Sequence, residues 1–173
     1  MTSDLKAEGN SLYLAGRSAP ELGGSLWARR NARTDLAVPP PDPSGLRRLG
    51  EGLLAAGRRG LVRAAHDVSD GGLAVTLAEM AFGGALGFTV DLDASGLATP
   101  SLSLAAEGGS RFVVEVPRGK ERRFEQVVGT SRVVRFGTVV TSADATLRWG
   151  GAPIATFPVL SHYRSWRDGL GLP

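Results

Sequence analysis

The sequence predicts an α+β fold in which helices cover a mixed β-sheet. Short runs in the middle and C-terminal parts of the chain alternate apolar and polar residues, as half-buried strands do. Other segments place apolar residues at helical spacing. The two kinds of segment do not alternate strictly, which argues against a doubly wound parallel sheet. We therefore expect a sheet of about four to six strands covered by helices.

Each element rests on a local pattern. The first strand, 11–15, lies between two glycines, and the run of prolines at 38–43 precedes a helix that Ser44 is expected to cap. Apolar spacing predicts helices at 26–32, 44–57, 72–82, 120–128 and 163–170. Further strand-like runs are found at 61–65, 88–92, 111–116, 133–140, 145–149 and 153–157. The length of 173 residues fits one domain, 1–173.

Composition excludes several classes of protein. No window holds 18 consecutive apolar residues and the N-terminus lacks the features of a secretory signal, so we expect a cytoplasmic protein without a membrane-spanning helix. Cysteine is absent, which excludes disulfides and thiolate chemistry. The net charge is +3, but the basic residues are scattered as pairs and aromatic residues make up only 6%, so nucleic-acid binding is not expected.

The densest group of chemically useful residues is the sequence HDVSDGG at 66–72. A strand here is predicted to run directly into a helix, whose N-terminus favours negative charge. The backbone N–H groups of Gly71 and Gly72, with the hydroxyl of Ser69, would contact a phosphate, while Asp67 and Asp70 would present oxygens to Mg²⁺. The alternative is structural: Asp70 only caps the helix, and His66 is a strand-end residue.

A second glycine-rich segment, Glu21–Ser25, precedes another predicted helix. Gly23, Gly24 and Ser25 would surround a phosphate with N–H groups, or the segment is a tight turn in which Ser25 is the helix cap. A third segment, 107–111, has the sequence EGGSR and is interpreted as a turn or bulge that enters a strand. Two histidines far apart in sequence do not build a metal site.

The segment 66–82, HDVSDGGLAVTLAEMAF, resembles the C-terminal domain of the phosphoribosylformylglycinamidine synthases, within the superfamily of aminoimidazole ribonucleotide synthetases. The likeness extends over essentially the whole chain, and is weak between 94 and 106. The other matching segments are 12–16 with 21–25, 107–116, 136–139 and 165–170.

The resemblance implies an ATP-dependent carbon–nitrogen ligase of purine biosynthesis. Formylglycinamide ribonucleotide, ATP and ammonia derived from glutamine would be converted to formylglycinamidine ribonucleotide. ATP and Mg²⁺ are the implied cofactors, and no catalytic residue is assigned. Gly71, Gly72, Asp67 and Asp70 would be the principal phosphate and Mg²⁺ contacts.

The resemblance also implies partners. They are the N-terminal domains of the same synthase, a glutaminase subunit, a small bridging subunit and a nucleotide substrate. The chain alone is expected to fold and to be inactive. Two alternatives stay open: a structural or regulatory half that binds nucleotide without catalytic groups, and a related enzyme such as an aminoimidazole ribonucleotide synthetase.

Overall fold

The computed structural model describes residues 1–129 and 133–169. It contains one seven-stranded sheet with the spatial order β2-β4-β1-β5-β3-β6-β7. The strands are β1 (Ser11–Ala15), β2 (Ala64–Asp67), β3 (Gly87–Asp91), β4 (Phe112–Val116), β5 (Val133–Val140), β6 (Asp144–Trp149) and β7 (Ala152–Pro158).

The pairing of these strands is mixed. β3 and β6 are parallel, and every other neighbouring pair in the sheet is antiparallel. The predicted fold class, α+β with a mixed sheet, is therefore confirmed, with one strand more than expected.

Helices cover both faces of the sheet. They are α1 (Leu26–Arg30), α2 (Pro43–Arg58), α3 (Gly72–Gly84), α4 (Pro100–Ala105), α5 (Glu121–Val128) and α6 (Tyr163–Gly169), with short 3₁₀ turns at Leu92–Ser95 and Val159–His162. On one face α3 packs Leu73, Leu77 and Met80 into the larger core. On the other face α2 and α5 pack Leu49, Leu53 and Phe124 against β1 and β4. The part of the chain that the structure describes has no helix long and apolar enough to cross a membrane.

The differences between the structure and the predicted elements include one helix cap, the bounds of two elements and one additional helix. The side chain of Asp42, not that of Ser44, accepts the N–H of Gly45 and caps α2, because Pro43 occupies the first helical position. β2 lies three residues later than predicted, and α1 is two residues shorter. α4, which the sequence did not predict, follows the cap residue Thr99. Leu170, the predicted end of the last helix, lies outside the described residues.

The N-terminal segment is fastened to the sheet by a buried carboxylate. Glu115 of β4 is fully buried and accepts the backbone N–H groups of Lys6 and Ala7, at 2.8 and 3.1 Å. The side-chain amide of Asn10 donates to the same carboxylate at 2.5 Å. Residues 6–10 are therefore part of the folded unit, because their loss would leave a buried charge without partners.

Candidate functional site

The HDVSDGG segment forms one wall of an open cleft of about 620 Å³. Asp67 ends β2, and Ser69 and Asp70 follow in the turn before α3. All three line the cleft, together with Glu107, Ser110, Arg111 and Phe112. The fold therefore brings the three predicted polar residues into one cavity with the segment EGGSR, for which the sequence predicts only a turn or bulge.

A single carboxylate oxygen joins the two glycine-rich segments. Oε1 of Glu107 accepts the backbone N–H of Gly71 at 2.8 Å and that of Leu26 at 2.7 Å. These N–H groups lie at the starts of α3 and α1, where backbone donors lack partners within the helix. The carboxylate of Glu107 therefore accepts the N–H of Gly71 that was predicted to contact a phosphate. The N–H of Gly72, the other predicted donor, bonds to the carbonyl of Ser69 at 2.9 Å.

The interpretation of Asp70 as a helix cap is wrong. Gly71 is the cap residue of α3, in a left-handed conformation with φ of 83°, and no side chain within the turn accepts a cap hydrogen bond. The side chain of Asp70 is 83% exposed, and its Oδ2 lies 3.8 Å from Nη2 of Arg29. Because α3 begins only at Gly72, Asp70 lies one residue too early to cap it, and Glu107 supplies the acceptor from elsewhere in the chain.

In the segment Glu21–Ser25, Gly23 and Ser25 form hydrogen bonds within the protein. Ser25 is buried, and its hydroxyl accepts the N–H of Ala28 at 3.1 Å, so the prediction that Ser25 caps the helix is confirmed. The N–H of Gly23 donates to the carbonyl of Ala37 at 2.8 Å. Among the described residues that line the 620 Å³ cleft, none comes from Gly23, Gly24 or Ser25.

Arg111 is a buried cation beside the cleft. The residue is 1% exposed; its Nη1 donates to the hydroxyl of Ser18 at 3.3 Å and its Nη2 donates to the carbonyl of Ala106. Within the described residues, its Nε has no hydrogen-bond partner and no carboxylate pairs with the guanidinium. Burial lowers the pKa of Arg111 to about 10, because desolvation disfavours the charged form.

A second cleft of about 410 Å³ adjoins the first, and the two share Leu46 and Ser110. Ser18 and Gly109 also line it, and Gly109 and Ser110 both have positive φ. At Gly109 a side chain would meet the carbonyl oxygen of Arg17, so a Cβ has no room there. The adjoining cavities form a continuous surface at the carboxyl end of β1, which is a suitable place for an extended ligand.

Asp67 and Asp70 are the two candidate metal ligands in the cleft. Within the described residues, no group of three or more His, Asp or Glu side chains could hold a metal ion. Mg²⁺ commonly takes only one or two protein carboxylates, with phosphate oxygens and waters completing its shell. The donor set therefore fits Mg²⁺ brought by a phosphorylated ligand, and does not fit a metal bound by the protein alone.

His66 connects the cleft segment to the C-terminal helix. Its Nε2 lies 3.1 Å from Oε2 of Glu79, and the indole N–H of Trp166 donates to the other oxygen of Glu79 at 3.0 Å. His66 is at the end of β2, as predicted. No sequence pattern assigns a role to Glu79, Glu107 or Arg111; for Glu107 and Arg111 the only signal is their position in the EGGSR segment.

Comparisons with known proteins agree on one family. The model of the family "AIR synthase related protein, C-terminal domain" matches residues 7–150. A phosphoribosylformylglycinamidine synthase subunit PurL from Thermoplasma acidophilum is 37% identical over 136 residues, which are 79% of this chain and 18% of that protein. The PurL subunit of Frankia casuarinae is 43% identical over 118 residues, 68% of this chain and 15% of its own length.

Solved structures show the same fold. Thermotoga maritima PurL complexed with FGAR superposes with a TM-score of 0.80 at 21% identity, over 92% of this chain and 28% of that one. The hydrogenase maturation protein HypE in complex with ATP gives a TM-score of 0.63 at 17% identity, over 92% of this chain and 55% of that one. The chain spans only about a fifth of the length of the curated relatives it matches.

Proposed function

The chain belongs to the family of AIR synthase related proteins, C-terminal domain, and on this premise we propose that it is the C-terminal part of a phosphoribosylformylglycinamidine synthase. In this proposal residues 1–173 form one domain of a longer cytoplasmic enzyme. Its partners are the N-terminal domains of that enzyme, a glutaminase subunit and a small bridging subunit. The identity of 37% to a PurL subunit over four-fifths of the chain supports the assignment.

The reaction is a ligation at an amide carbon. The amide oxygen of formylglycinamide ribonucleotide takes the γ-phosphoryl group of ATP, and ADP leaves. Ammonia, released from glutamine by the glutaminase subunit, then attacks the same carbon and displaces phosphate, which gives formylglycinamidine ribonucleotide. The part of this chain is to bind and orient phosphate groups.

The observation that carries the proposal is the convergence of Asp67, Ser69 and Asp70 on one cleft beside the buried Arg111. The carboxylates of Asp67 and Asp70 would hold Mg²⁺, which neutralises phosphate charge when bound. The hydroxyl of Ser69 would donate to a phosphate oxygen. The charge of Arg111, which no carboxylate of the described residues neutralises, attracts an anion to the same cavity.

N–H groups of both glycine-rich segments already have acceptors within the protein. The donors of Gly71 and Gly72 are bonded to Glu107 and Ser69 in this structure, so direct phosphate contact by Gly71 requires Glu107 to move. Gly23 and Ser25 already donate their N–H groups to backbone carbonyls and would contact a phosphate only after a similar rearrangement, and Gly24 does not line the cleft. We therefore rank Asp67, Ser69 and Asp70 above the glycines as ligand contacts.

The test uses the longer synthase that contains this chain. Calorimetry should show that Asp67→Asn lowers the affinity for ADP–Mg²⁺ by roughly tenfold or more, a loss of about 1.4 kcal/mol of binding free energy. Asp144→Asn, an exposed aspartate at the start of β6, is the matched control and should bind like the parent. Equal affinity of Asp67→Asn and the parent would remove Asp67 from the proposed site.

A non-catalytic nucleotide site is the second candidate function. N–H groups of both glycine-rich segments donate to acceptors within the protein. This arrangement favours a non-catalytic site, because a rigid site suits a nucleotide that stays bound and is not turned over. Exchange of radiolabelled nucleotide during steady-state turnover distinguishes the two. If nucleotide bound at this cleft is retained through many cycles of product formation, the chain has the structural role; if it exchanges once per cycle, the site is catalytic.

A further inference from the structure

Exposed cations that are separate in the sequence are gathered by the fold at one end of the sheet. They lie at the end of α2, at the start of β2 and around the start of α5. We call this surface the basic pole, and it consists of Arg58, Arg59, Arg63, Arg118, Lys120, Arg122 and Arg123.

Hydrogen bonds fix the position of the basic pole. Nζ of Lys120 donates to the carbonyl of Gly60 at 3.1 Å, which brings the start of α5 to the end of α2. The N–H of Arg118 donates to the side chain of Asn10 at 3.1 Å, next to the first residue of β1. The candidate cleft lies beyond the last residue of β1, so the basic pole is at the opposite end of the sheet.

The carboxylates of the neighbouring elements face inward. Glu121 of α5 accepts the hydroxyl of Ser11 at 2.9 Å, and Glu125 accepts that of Tyr13 at 2.6 Å. Glu115 of β4 is buried and holds the N-terminal segment. The arginines of α5 face solvent, while its two carboxylates accept hydrogen bonds from β1, and the exposed carboxylate of Glu8 stands next to Gly9, beside Arg118.

No ion pair within the described residues involves a cation of the basic pole. The exposed carboxylate of α2, Glu51, lies two helical turns before Arg58. Such a concentration of one sign of charge attracts a surface of opposite charge and accelerates its association.

An apolar side chain accompanies the charges. Leu54 is 57% exposed and lies one helical turn before Arg58, on the same side of α2. An apolar anchor with a charged rim is the arrangement of a protein–protein interface. Nucleic-acid surfaces interleave aromatic residues with the cations, and the basic pole contains none.

We propose that the basic pole is a docking surface for the acidic face of a partner protein, with Leu54 as its apolar anchor. Neither a small anion nor a membrane suits it equally well. The cations are all exposed and line none of the cavities described above, and Leu54 is a single apolar residue where membrane insertion needs a broad apolar face. The proposal does not depend on the function of the cleft.

The experiment measures binding of a labelled peptide of glutamates, with leucine at every fourth position, to the 173-residue chain. We expect saturable binding that weakens by about tenfold in the double variant Arg58→Glu/Arg122→Glu. The control is Arg30→Glu/Arg47→Glu, which reverses two exposed charges outside the basic pole and should bind like the parent. Leu54→Ser should weaken the binding that persists at high salt, where charge attraction is screened.

Three results would overturn the proposal. The first is an equal loss of binding in both double variants, which means attraction to net charge alone. The second is tighter binding of duplex DNA, or of vesicles containing phosphatidylserine, than of the peptide at equal salt. The third is no binding of the peptide to the parent chain. Thermal melting of each variant, compared with the parent, verifies that the chain is folded in every measurement.

Discussion

The two glycine-rich segments, Glu21–Ser25 and 66–72, have similar sequences but different roles in the structure. In Glu21–Ser25 the serine is buried and caps its own helix, and a Cβ added at Gly24 would meet no atom beyond its chain neighbours within 4 Å. In 66–72 the polar side chains of Ser69 and Asp70 are exposed. The starts of both helices share the carboxylate of Glu107, but only α1 also has a cap from a side chain of its own segment. A segment whose serine serves as a helix cap is a structural turn, whereas a segment whose polar side chains cap no helix leaves them available for a ligand.

The strongest contrast between the segments lies in their glycines. Gly72→Ala combines a φ of +67° with a Cβ only 2.5 Å from the carbonyl oxygen of Leu104, so α4 would have to move. We expect it to lower the free energy of unfolding by about 3 kcal/mol or more. Gly24→Ala has only the cost of positive φ, about 1 kcal/mol. Urea denaturation measures both; equal losses would mean that the approach of α4 does not constrain the segment 66–72.

Glu107 should contribute the next largest effect, because it connects the two segments. Glu107→Ala leaves the N–H groups of Leu26 and Gly71 without their acceptor, which should cost about 2–4 kcal/mol in the free energy of unfolding. Glu107→Gln retains an amide oxygen that can accept both, and should cost less than half as much. If alanine and glutamine behave alike in urea denaturation, the oxygen does not bridge the helices.

The serines distinguish the segments on a smaller scale. Ser25→Ala removes the cap of α1 and should destabilise the chain by about 1 kcal/mol. Ser69→Ala removes an exposed hydroxyl and should change the stability by less than about 0.5 kcal/mol. The comparison needs only the denaturation midpoints of the two variants at one pH. A larger loss at Ser69 than at Ser25 would reverse the roles assigned to the segments.

The smallest effect is expected at Asp70. Asp70→Ala removes an exposed carboxylate at 3.8 Å from Arg29 and should leave the melting temperature without ligand nearly unchanged. In the longer synthase, Asp67→Ala should abolish the stabilisation by ADP–Mg²⁺, which follows the mass-action dependence on ligand concentration. A clear drop in melting temperature for Asp70→Ala without ligand would restore the cap role that the structure contradicts.

Local patterns were sufficient to predict much of the fold. β1 and α3 could be predicted because glycines bound the one and regularly spaced leucines define the other. The cap of α2 was misplaced from Asp42 to Ser44 because both residue types cap helices, and only the position of Pro43 decides between them.

The contacts that shape the cleft are long-range. Glu107 is 36 residues from Gly71 and 81 residues from Leu26, and no local pattern connects them. The polar residues of HDVSDGG were found because they are adjacent in sequence. The residue that holds their helix in place could not be found, because its role depends on how the sheet brings 107 beside 71. The same reasoning applies to the basic pole, whose arginine pairs meet only in the folded chain.

Strand β4 carries an anchored group at each end. At one end Glu115 holds the backbone of Lys6 and Ala7, and immediately before the other end Arg111 lies beneath the cleft. A five-residue strand spans roughly 17 Å and is stiff along its axis. A substitution that disturbs the contacts of Lys6 and Ala7 with Glu115 and one that disturbs Arg111 therefore act on opposite ends of the same strand.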